Sequence, residues 1–553
     1  MAPKIFTLIK ERKITREQIV KDIIAGVIVA IIALPLSIAL GISSGVSPEK
    51  GLITAVIAGF IISFLGGSRV QIGGPTGAFV VIVYTIVQTY GLNGLVIATL
   101  MAGVMLVAMG LLKLGSLIKY VPHTITVGFT SGIAITLLST QVKDFLGLNI
   151  DKVPAEFIAK WQSYLANISS FNLTAILIGI GCILIMVYWP KINKTIPGSV
   201  IVLVVATVVV QLFNLPVETI GSRYQEISSS IPLPGLPKMD IETIKVLVKP
   251  AMTIAILAAI ESLLSAVVAD GMIDDKHDSN MELIAQGLGN IGSALFGGIP
   301  ATGAIARTAA NVKNGGRSPI SGMIHAVTLL LIMMLFMPFA KMIPMTTLAA
   351  ILMVVSYNMG EWSTFKSLLK APKSDVAILV LTFVLTIVFD LVIAIEIGMI
   401  LSMFLFIKKL AENTMVKRLG SEAVEKHKTS ETLHIDCDNI LLYEVNGPFF
   451  FGIAQNFIDK IAEIEKNAQV VILDMNNAHT LDASAIAALK KLYNYCDKNK
   501  IKFILVNIQN QPMKALTNMG SIKKLGLNSV FNTRAEGIKA AYKYIEFQDQ
   551  VSV

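Results

Sequence analysis

Apolar runs long enough to cross a lipid bilayer recur along the chain from about Ile23 to Ile407, and short polar stretches separate them. They form about fourteen segments, seven on each side of a polar, proline-containing stretch at 214–249. An odd number of segments in each half predicts that the second half crosses the membrane with inverted topology. The pattern therefore predicts a polytopic α-helical membrane protein built from two inverted repeats, about 23–212 and 251–407.

After Lys409 the pattern changes from long apolar runs to alternating strand and helix signals. Alternation of this kind predicts a small α/β domain around a central sheet. The predicted strands are 440–445, 470–475 and 503–506, and the predicted helices are 456–467, 483–498 and 511–519. The domains predicted from these patterns are an N-terminal segment at 1–22, a transmembrane transport domain at 23–409, a linker at 410–431 and the α/β domain at 432–553.

Two glycine-rich interruptions break the apolar pattern, each as the third segment of its half. The first reads Gly73-Gly74-Pro75-Thr76-Gly77-Ala78, and the second runs from 297 to 308 with the sequence GGIPATGAIART. Paired interruptions are typical of a transport site formed by broken helices at mid-membrane. Unpaired amides and the dipole at the start of a helix attract anions, and small residues let an anion approach the backbone. We therefore expect an anion site formed by Thr76, Gly77, Ala78, Thr302, Gly303 and Ala304.

Two charged side chains lie within this apolar part. Glu261 is about halfway along the run 251–269, and Ser265 lies one helical turn further on the same face. A carboxyl group at mid-membrane indicates an ion pathway, so Glu261 with Ser265 is predicted to couple proton movement to anion movement. Arg307 can hold a carboxylate or sulfate through two parallel hydrogen bonds, which makes it a substrate-binding candidate. Structural alternatives stay open: Glu261 bonded to a neighbouring helix, and Arg307 paired within the protein.

The composition is that of a membrane protein, since 54% of the 553 residues are hydrophobic and 15% are charged. Lysine-containing loops on the side of the N-terminus account for the formal net charge of +9, so nucleic-acid binding is not expected. The positive-inside rule predicts an inner (plasma) membrane protein with both termini and the α/β domain in the cytoplasm. Scattered cysteines, and the lack of a catalytic triad or nucleotide loop, predict no metal, no cofactor and no enzyme activity.

Several motifs together resemble one family. They are the first interruption, Ala-Ile-Glu-Ser-Leu-Leu-Ser-Ala-Val-Val-Ala-Asp at 259–270, the second interruption, and Asn-Gly-Gly-Arg-Ser-Pro at 314–319. In this order they resemble the SulP family of anion transporters, which includes the animal multifunctional anion exchangers and prestin. The resemblance implies a uracil-permease-like fold of seven plus seven segments with core and gate domains, a C-terminal STAS domain and a homodimer. It assigns the anion-facing positions to Thr76, Gly303 and Ala304, the arginine beside them to Arg307, and the acidic position of the eighth span to Glu261.

Two departures from related patterns refine these expectations. Sodium-coupled bicarbonate members of the family have Asp at the acidic position with Thr four residues later, whereas this chain has Glu261 and Ser265, which favours protons as coupling ions. Anti-sigma-factor antagonists have Asp-Ser-Ser where this STAS domain has Asp482-Ala483-Ser484, so a phosphoserine switch is not expected. A protein or nucleotide ligand of the STAS domain stays open.

The leading functional hypothesis is a secondary active anion transporter. It would carry sulfate, bicarbonate or a small dicarboxylate in symport with protons, by elevator-like alternating access in the lipid bilayer. The alternative is a membrane regulator that senses an anion and signals through the STAS domain without net transport. A nucleobase–proton symporter shares the implied fold, but such a carrier would not be expected to end in a STAS domain. The sequence leaves the anion and the stoichiometry open.

Overall fold

The computed structural model describes residues 2–116, 121–193, 197–224, 227–238, 240–389, 391–413, 415–426, 439–451, 468–521 and 527–552. The chain forms two compact units, Met1–Ile400 and Leu401–Val553. The first unit is almost entirely helical, and the second contains a five-stranded sheet with helices. The predicted fold class is therefore confirmed in both parts. The predicted domain boundaries stay predictions, and the boundary near residue 432 lies outside the described residues.

The first half of the helical unit surrounds the first glycine-rich interruption. The strand β1 (Gly73–Gly74) and a short 3-10 turn, Gly77–Phe79, form the interruption itself. The helices are α1 Lys4–Lys10, α2 Arg16–Ser43, α3 Pro48–Leu65, α4 Val80–Leu111, α5 His123–Thr140, α6 Val142–Leu146, α7 Phe157–Ala166, α8 Leu173–Ile192, α9 Gly198–Leu212 and α10 Ile220–Arg223.

The second half has the same arrangement around the second interruption. Here the strand β2 (Thr302–Gly303) is followed directly by a short helix. The helices are α11 Ile241–Ile273, α12 Ser279–Leu295, α13 Ile305–Lys313, α14 Ile320–Ala340, α15 Met345–Met359, α16 Trp362–Leu368, α17 Lys373–Val388 and α18 Leu391–Asn413, the last of which runs across the boundary between the two units.

Several of these helices are suited to cross a membrane. Among the described residues, seven helical segments are long and apolar enough by length and composition: Arg16–Ser43, Pro48–Leu65, Gly77–Leu111, His123–Leu146, Leu173–Ile192, Ile241–Ile273 and Ile320–Ala340. Other predicted spans are shorter, such as α9 with 15 residues and α13 with nine. The protein is thus a multi-pass membrane protein, and the predicted number of fourteen segments stays a prediction.

The helix bounds differ from the predicted ones at two places for physical reasons. Two predicted segments are joined in α4, where Gly91 adopts φ 69° and ψ −174° and makes a kink. Only glycine adopts such a backbone conformation without strain, so the apolar run bends there without ending. α11 begins ten residues before the predicted start at 251, because the Asp240 side chain caps it by accepting a hydrogen bond from the Thr243 amide at 2.6 Å.

The helices of the first unit pack in two groups. α2, α3, α4, α11, α12 and α14 contact one another, and α5, α8, α9, α15 and α17 form a second set of contacts. Glycines allow close approach in the first group: a Cβ added at Gly103 would lie 2.7 Å from the Gly287 carbonyl oxygen across α4 and α12. In the second group a Cβ at Gly132 would lie 2.6 Å from Cβ of Thr386. The two groups correspond to the core and gate domains that the family resemblance implied.

The two interruptions meet inside the first group. β1 and β2 pair antiparallel, with Gly73 opposite Gly303 and Gly74 opposite Thr302. The Ala304 amide continues this pairing by donating to the Ile72 carbonyl oxygen at 2.9 Å. Irregular backbone at membrane depth is tolerated only where its polar groups are satisfied within the protein. The pairing therefore holds two broken segments from opposite halves of the chain in one place.

The second unit is built around a mixed sheet of β3 (Met415–Leu419), β4 (Ile440–Asn446), β5 (Val470–Asn477), β6 (Lys502–Val506) and β7 (Val530–Phe531). The strands lie in this order, with β3 antiparallel to β4 and the others parallel. Helices of the unit are α19 Glu422–Glu425, α20 Ala483–Lys498, α21 Asn510–Asn518 and α22 Arg534–Ser552. Side chains of successive strand residues alternate between two apolar clusters, one containing α20 and the other α22.

The structure bears on several predicted elements of this unit. The three predicted strands and the helices at 483–498 and 511–519 are observed within one or two residues. The predicted helix at 456–467 lies outside the described residues. The stretch predicted as a linker at 410–431 contains β3, whose Val416 is buried in the first apolar cluster.

Candidate anion-binding site

The first interruption presents the start of a helix. Thr76 has extended backbone, with φ −129° and ψ 161°, and precedes the turn Gly77–Phe79 that leads into α4. The amides of Gly77 and Ala78 begin this helical segment and therefore have no acceptor within it. Gly77 is closely packed, since an added Cβ would lie 2.6 Å from Cδ2 of Leu137. A cavity of about 210 Å³ adjoins Ala78 and faces α5 and α17.

Glu261 contacts this helix start directly. The Thr76 hydroxyl donates a hydrogen bond to Glu261 Oε2 at 2.9 Å. Glu261 lies on α11 and is half-buried, whereas Thr76 is 7% exposed. The structure therefore brings together two predicted residues that are 185 positions apart in the chain. A change in the protonation of this carboxyl group changes its charge next to the helix start.

Arg307 also contacts the first interruption. Its side chain is buried, at 4% exposure, and its Nη2 donates to the Pro75 carbonyl oxygen. Nη1 is also buried and has no hydrogen-bond partner among the residues that the structure describes. A Cβ added at Gly74 would collide with this same nitrogen, so the guanidinium packs against bare backbone. A buried cation with unused N–H groups is costly unless an anion or another acceptor completes it.

The second interruption uses its polar groups within the protein. The Ala304 amide, a predicted anion donor, is occupied by the Ile72 carbonyl. The Thr302 hydroxyl donates to the Ala258 carbonyl oxygen at 3.0 Å and is fully buried. Gly303 leaves room for the Gln71 side-chain amide, which would overlap a Cβ at this position. The place where the two interruptions pair, Gly73–Gly74 with Thr302–Gly303, is called the crossing below. Ala304, Thr302 and Gly303 hold it together in the structure.

Ser265 is not bonded to Glu261 in the described part of the chain. Its hydroxyl donates to Thr308 Oγ1 at 3.3 Å, and Thr308 Oγ1 also accepts from the Ile72 amide at 3.1 Å. Ser265 is fully buried. Its observed contacts therefore attach α11 to α13 and to the strand segment before β1.

Three side chains that support the site had not been predicted from the sequence. Asn290 on α12 accepts from the Ala301 amide at 2.9 Å and donates to the Ala301 carbonyl oxygen at 2.8 Å. Thr54 accepts from the Ile299 amide at 2.7 Å, and Gln71 donates to the Ser262 carbonyl oxygen at 3.0 Å. The sequence did contain a signal that could have identified them: a polar side chain within an apolar stretch needs a hydrogen-bond partner when it is buried. Among the described residues, no group of three or more His, Cys, Asp or Glu side chains could hold a metal ion.

Comparisons with known proteins agree with the fold. The model of the sulfate permease family matches residues 19–382, and that of the STAS domain matches residues 436–537. The putative sulfate transporter YvdB of Bacillus subtilis is 40% identical over 522 residues, which cover 94% of this chain and 97% of that protein.

Two further relatives extend the comparison. The bicarbonate transporter BicA of Synechocystis is 30% identical over 506 residues, covering 89% of this chain and 88% of BicA. The solved structure of SLC26A9 superposes with a TM-score of 0.84 at 19% identity and covers 98% of this chain and 92% of that chain. At this identity the structural match shows a shared fold.

Proposed function

This chain belongs to the sulfate permease family, a family of anion transporters and not of enzymes, and from that premise we propose that it is a secondary active transporter. Its substrate would be sulfate, bicarbonate or a small dicarboxylate, moved in symport with protons. Relatives named as sulfate and bicarbonate transporters support the first two of these substrates. All three offer anionic oxygens to the same amide and guanidinium donors.

The observation that carries this proposal is Nη1 of Arg307, which has no partner among the described residues and lies against Gly74, three residues before Gly77. The guanidinium is buried and uses only one side of its fork, on the Pro75 carbonyl. The amides at Gly77 and Ala78 are donors of the same kind, and Ala78 also lines a cavity of about 210 Å³, which Arg307 does not line. An anion bound here satisfies donors that otherwise stay unpaired, which is a physical reason for binding.

Proton coupling follows from the position of Glu261. An ionised Glu261 repels an anion held at Thr76 and Gly77, whereas a protonated one does not. Anion and proton therefore bind with positive coupling, and each raises the affinity for the other by the same factor. The hydrogen bond from Thr76 to Glu261 at 2.9 Å supports this coupling, because it links the carboxyl group to the anion-binding backbone.

The transport step in this proposal is an elevator-like movement of the core group of helices against the gate group. Both broken segments belong to the core group, so an anion bound there moves with it as one body. Lysines at or just beyond helix ends, such as Lys113, Lys191 and Lys313, support an orientation with both termini and the STAS domain in the cytoplasm. The proposed assembly is a homodimer in the inner membrane.

Uptake into proteoliposomes tests the proposal. Labelled sulfate, bicarbonate, fumarate and succinate are offered in parallel under an inward proton gradient, with and without sodium, and protein-free liposomes serve as the control. We expect one anion to accumulate, a protonophore to abolish the accumulation, and sodium to have no effect. Sodium-dependent uptake would contradict proton coupling. Anion binding without uptake of any substrate would favour the alternative, a sensor that acts through the STAS domain.

A further inference from the structure

A second, larger cavity lies at the end of the helical unit where α2 finishes. It encloses about 610 Å³ between the ends of α2, α5 and α6, the start of α8 and one side of α4. Thr76, Glu261 and Arg307 do not line it, and it shares the lining residues Val81 and Ala155 with the smaller cavity beside Ala78. Its charged lining residues are Lys143, Asp144, Asp151, Lys160, Glu218 and Arg223.

Lys160 is the unusual member of this lining. The amphipathic helix α7 turns Lys160 and Tyr164 inward, and Lys160 is only 3% exposed. Its ammonium group takes part in no hydrogen bond or ion pair within the described ranges. Burial lowers the pKa of Lys160 to about 8. The stem of Lys160 is buried while its ammonium opens to the cavity without an ion-pair partner among the described residues, so an external anion in the cavity has access to it.

The nearby carboxylates face another cation. Arg223 donates to both oxygens of Asp144, at 2.6 and 3.2 Å, and to both oxygens of Glu218, at 2.5 and 2.8 Å. Such two-pronged pairs fix the carboxylates in place. The remaining acid, Asp151, is exposed. The lining therefore contains an ion-pair cluster held by Arg223 and also Lys160, which has no ion-pair partner in the part of the chain that the structure describes.

Two tyrosine hydroxyl groups attach the segment from Val153 to Tyr164, which covers the cavity, to neighbouring helices. Tyr84 donates to the Val153 carbonyl oxygen at 2.7 Å, and Tyr164 donates to the Ser139 carbonyl oxygen at 3.0 Å. These bonds attach the chain around α7 to α4 and α5, so Lys160 has a fixed position in the wall.

We propose that this cavity is a second anion-binding site, in which the Lys160 ammonium pairs with a small oxyanion such as a carboxylate or sulfate. The site is distinct from the crossing and does not depend on the proposed transport. It lies close to the crossing, because the lining residue Val81 follows Gly77 by one helical turn.

Chemical protection of Lys160 tests the site in the wild-type chain. The full chain in lipid nanodiscs is acetylated with acetic anhydride near neutral pH, where the lowered pKa leaves part of Lys160 neutral and reactive. The exposed Lys152 on the same segment is the internal control. We expect sulfate to slow acetylation of Lys160 roughly tenfold, because a nearby anion keeps the ammonium protonated, and to leave Lys152 nearly unchanged. Equal effects on both lysines would overturn the proposal.

A pair of variants separates this site from the crossing. Arg307→Gln removes the charge at the crossing and keeps a donor for the Pro75 carbonyl, and Lys160→Met keeps the apolar stem of the lysine. We expect each variant to bind one labelled sulfate fewer per chain, and Lys160 protection to persist in Arg307→Gln. Protection that disappears in Arg307→Gln would assign the anion to the crossing and overturn the second site. If only Lys160→Met loses an anion, the second site stands and the proposed site at Arg307 fails.

Discussion

Thr76-Gly77-Ala78 in the first half and Thr302-Gly303-Ala304 in the second have the same sequence, and both lead into a helix. In the first, the Thr76 hydroxyl contacts Glu261 and the following amides lie at a helix start. In the second, the Thr302 hydroxyl and the Ala304 amide are bonded to neighbouring backbone. The two identical sequences thus have different environments. The first segment leaves backbone amides available to an anion, and the second uses its polar groups to hold the first in place.

The difference comes from residues outside the repeated motif. Asn290 and Gln71 contact the second segment, so its unwound backbone is satisfied and its glycine is packed. The first segment contacts two charged side chains, Glu261 at Thr76 and Arg307 at Pro75. An inverted repeat therefore provides two segments with similar backbone. Only the first has charged side chains next to it, and these make the first segment the anion site.

The largest expected effect is that of Glu261→Gln. Glutamine keeps a hydrogen-bond acceptor for Thr76 but cannot exchange a proton, so proton-driven accumulation should be abolished while anion binding and exchange remain. Anion uptake under a proton gradient measures the accumulation, and anion exchange in the absence of a gradient measures the function that should remain. Glu242→Gln on the exposed start of the same helix is the matched control and should behave as wild type. Undiminished pH-driven uptake by Glu261→Gln would remove the coupling role.

Arg307→Gln should weaken anion binding next most strongly. The loss of a charge-assisted hydrogen bond of about 2–3 kcal/mol corresponds to roughly 30- to 150-fold in affinity. Equilibrium binding of labelled sulfate gives the change, and Arg16→Gln at the exposed start of α2 is the control. An affinity within twofold of wild type would leave Arg307 with a purely structural role.

Gly303→Ala should act on stability. Its added methyl group collides with the buried Gln71 amide, and overpacking of this kind costs about 1–3 kcal/mol. Gly181→Ala on α8 is the matched control, because nothing lies within 4 Å of its added Cβ. Thermal unfolding in detergent compares the two. Equal melting temperatures would show that the second segment relaxes at no cost.

The pair Thr76→Val and Thr302→Val has the smallest expected effect and tests the comparison most directly. Each loses one hydroxyl hydrogen bond of about 1 kcal/mol. We expect Thr76→Val to change the pH profile of uptake with little loss of stability, and Thr302→Val to lower stability and keep the pH profile. The reverse pattern would exchange the roles of the two segments.

The sequence predicted the fold well where one physical signal dominates. Long apolar runs gave most helices, and the buried run at Val470–Asn477 gave the central strand of the STAS unit. The strand Met415–Leu419 was missed because the polar Lys417 and Arg418 hide its single edge pairing with β4.

At the site, Glu261 and Thr76 were predicted separately and are bonded to each other. The occupied Ala304 amide could not be predicted, because its acceptor, Ile72, is brought there only by pairing between the halves.

The ladder between Gly73–Gly74 and Thr302–Gly303 also has a consequence for biosynthesis. Its two strands are separated by more than half of the helical unit, so the first strand enters the membrane long before the second has been synthesised. During that interval the backbone polar groups of the first strand lack their final partners, which is unfavourable within lipid. The anion site is therefore completed late in folding, after the second half has inserted, and a nascent chain stopped before residue 302 contains no complete site.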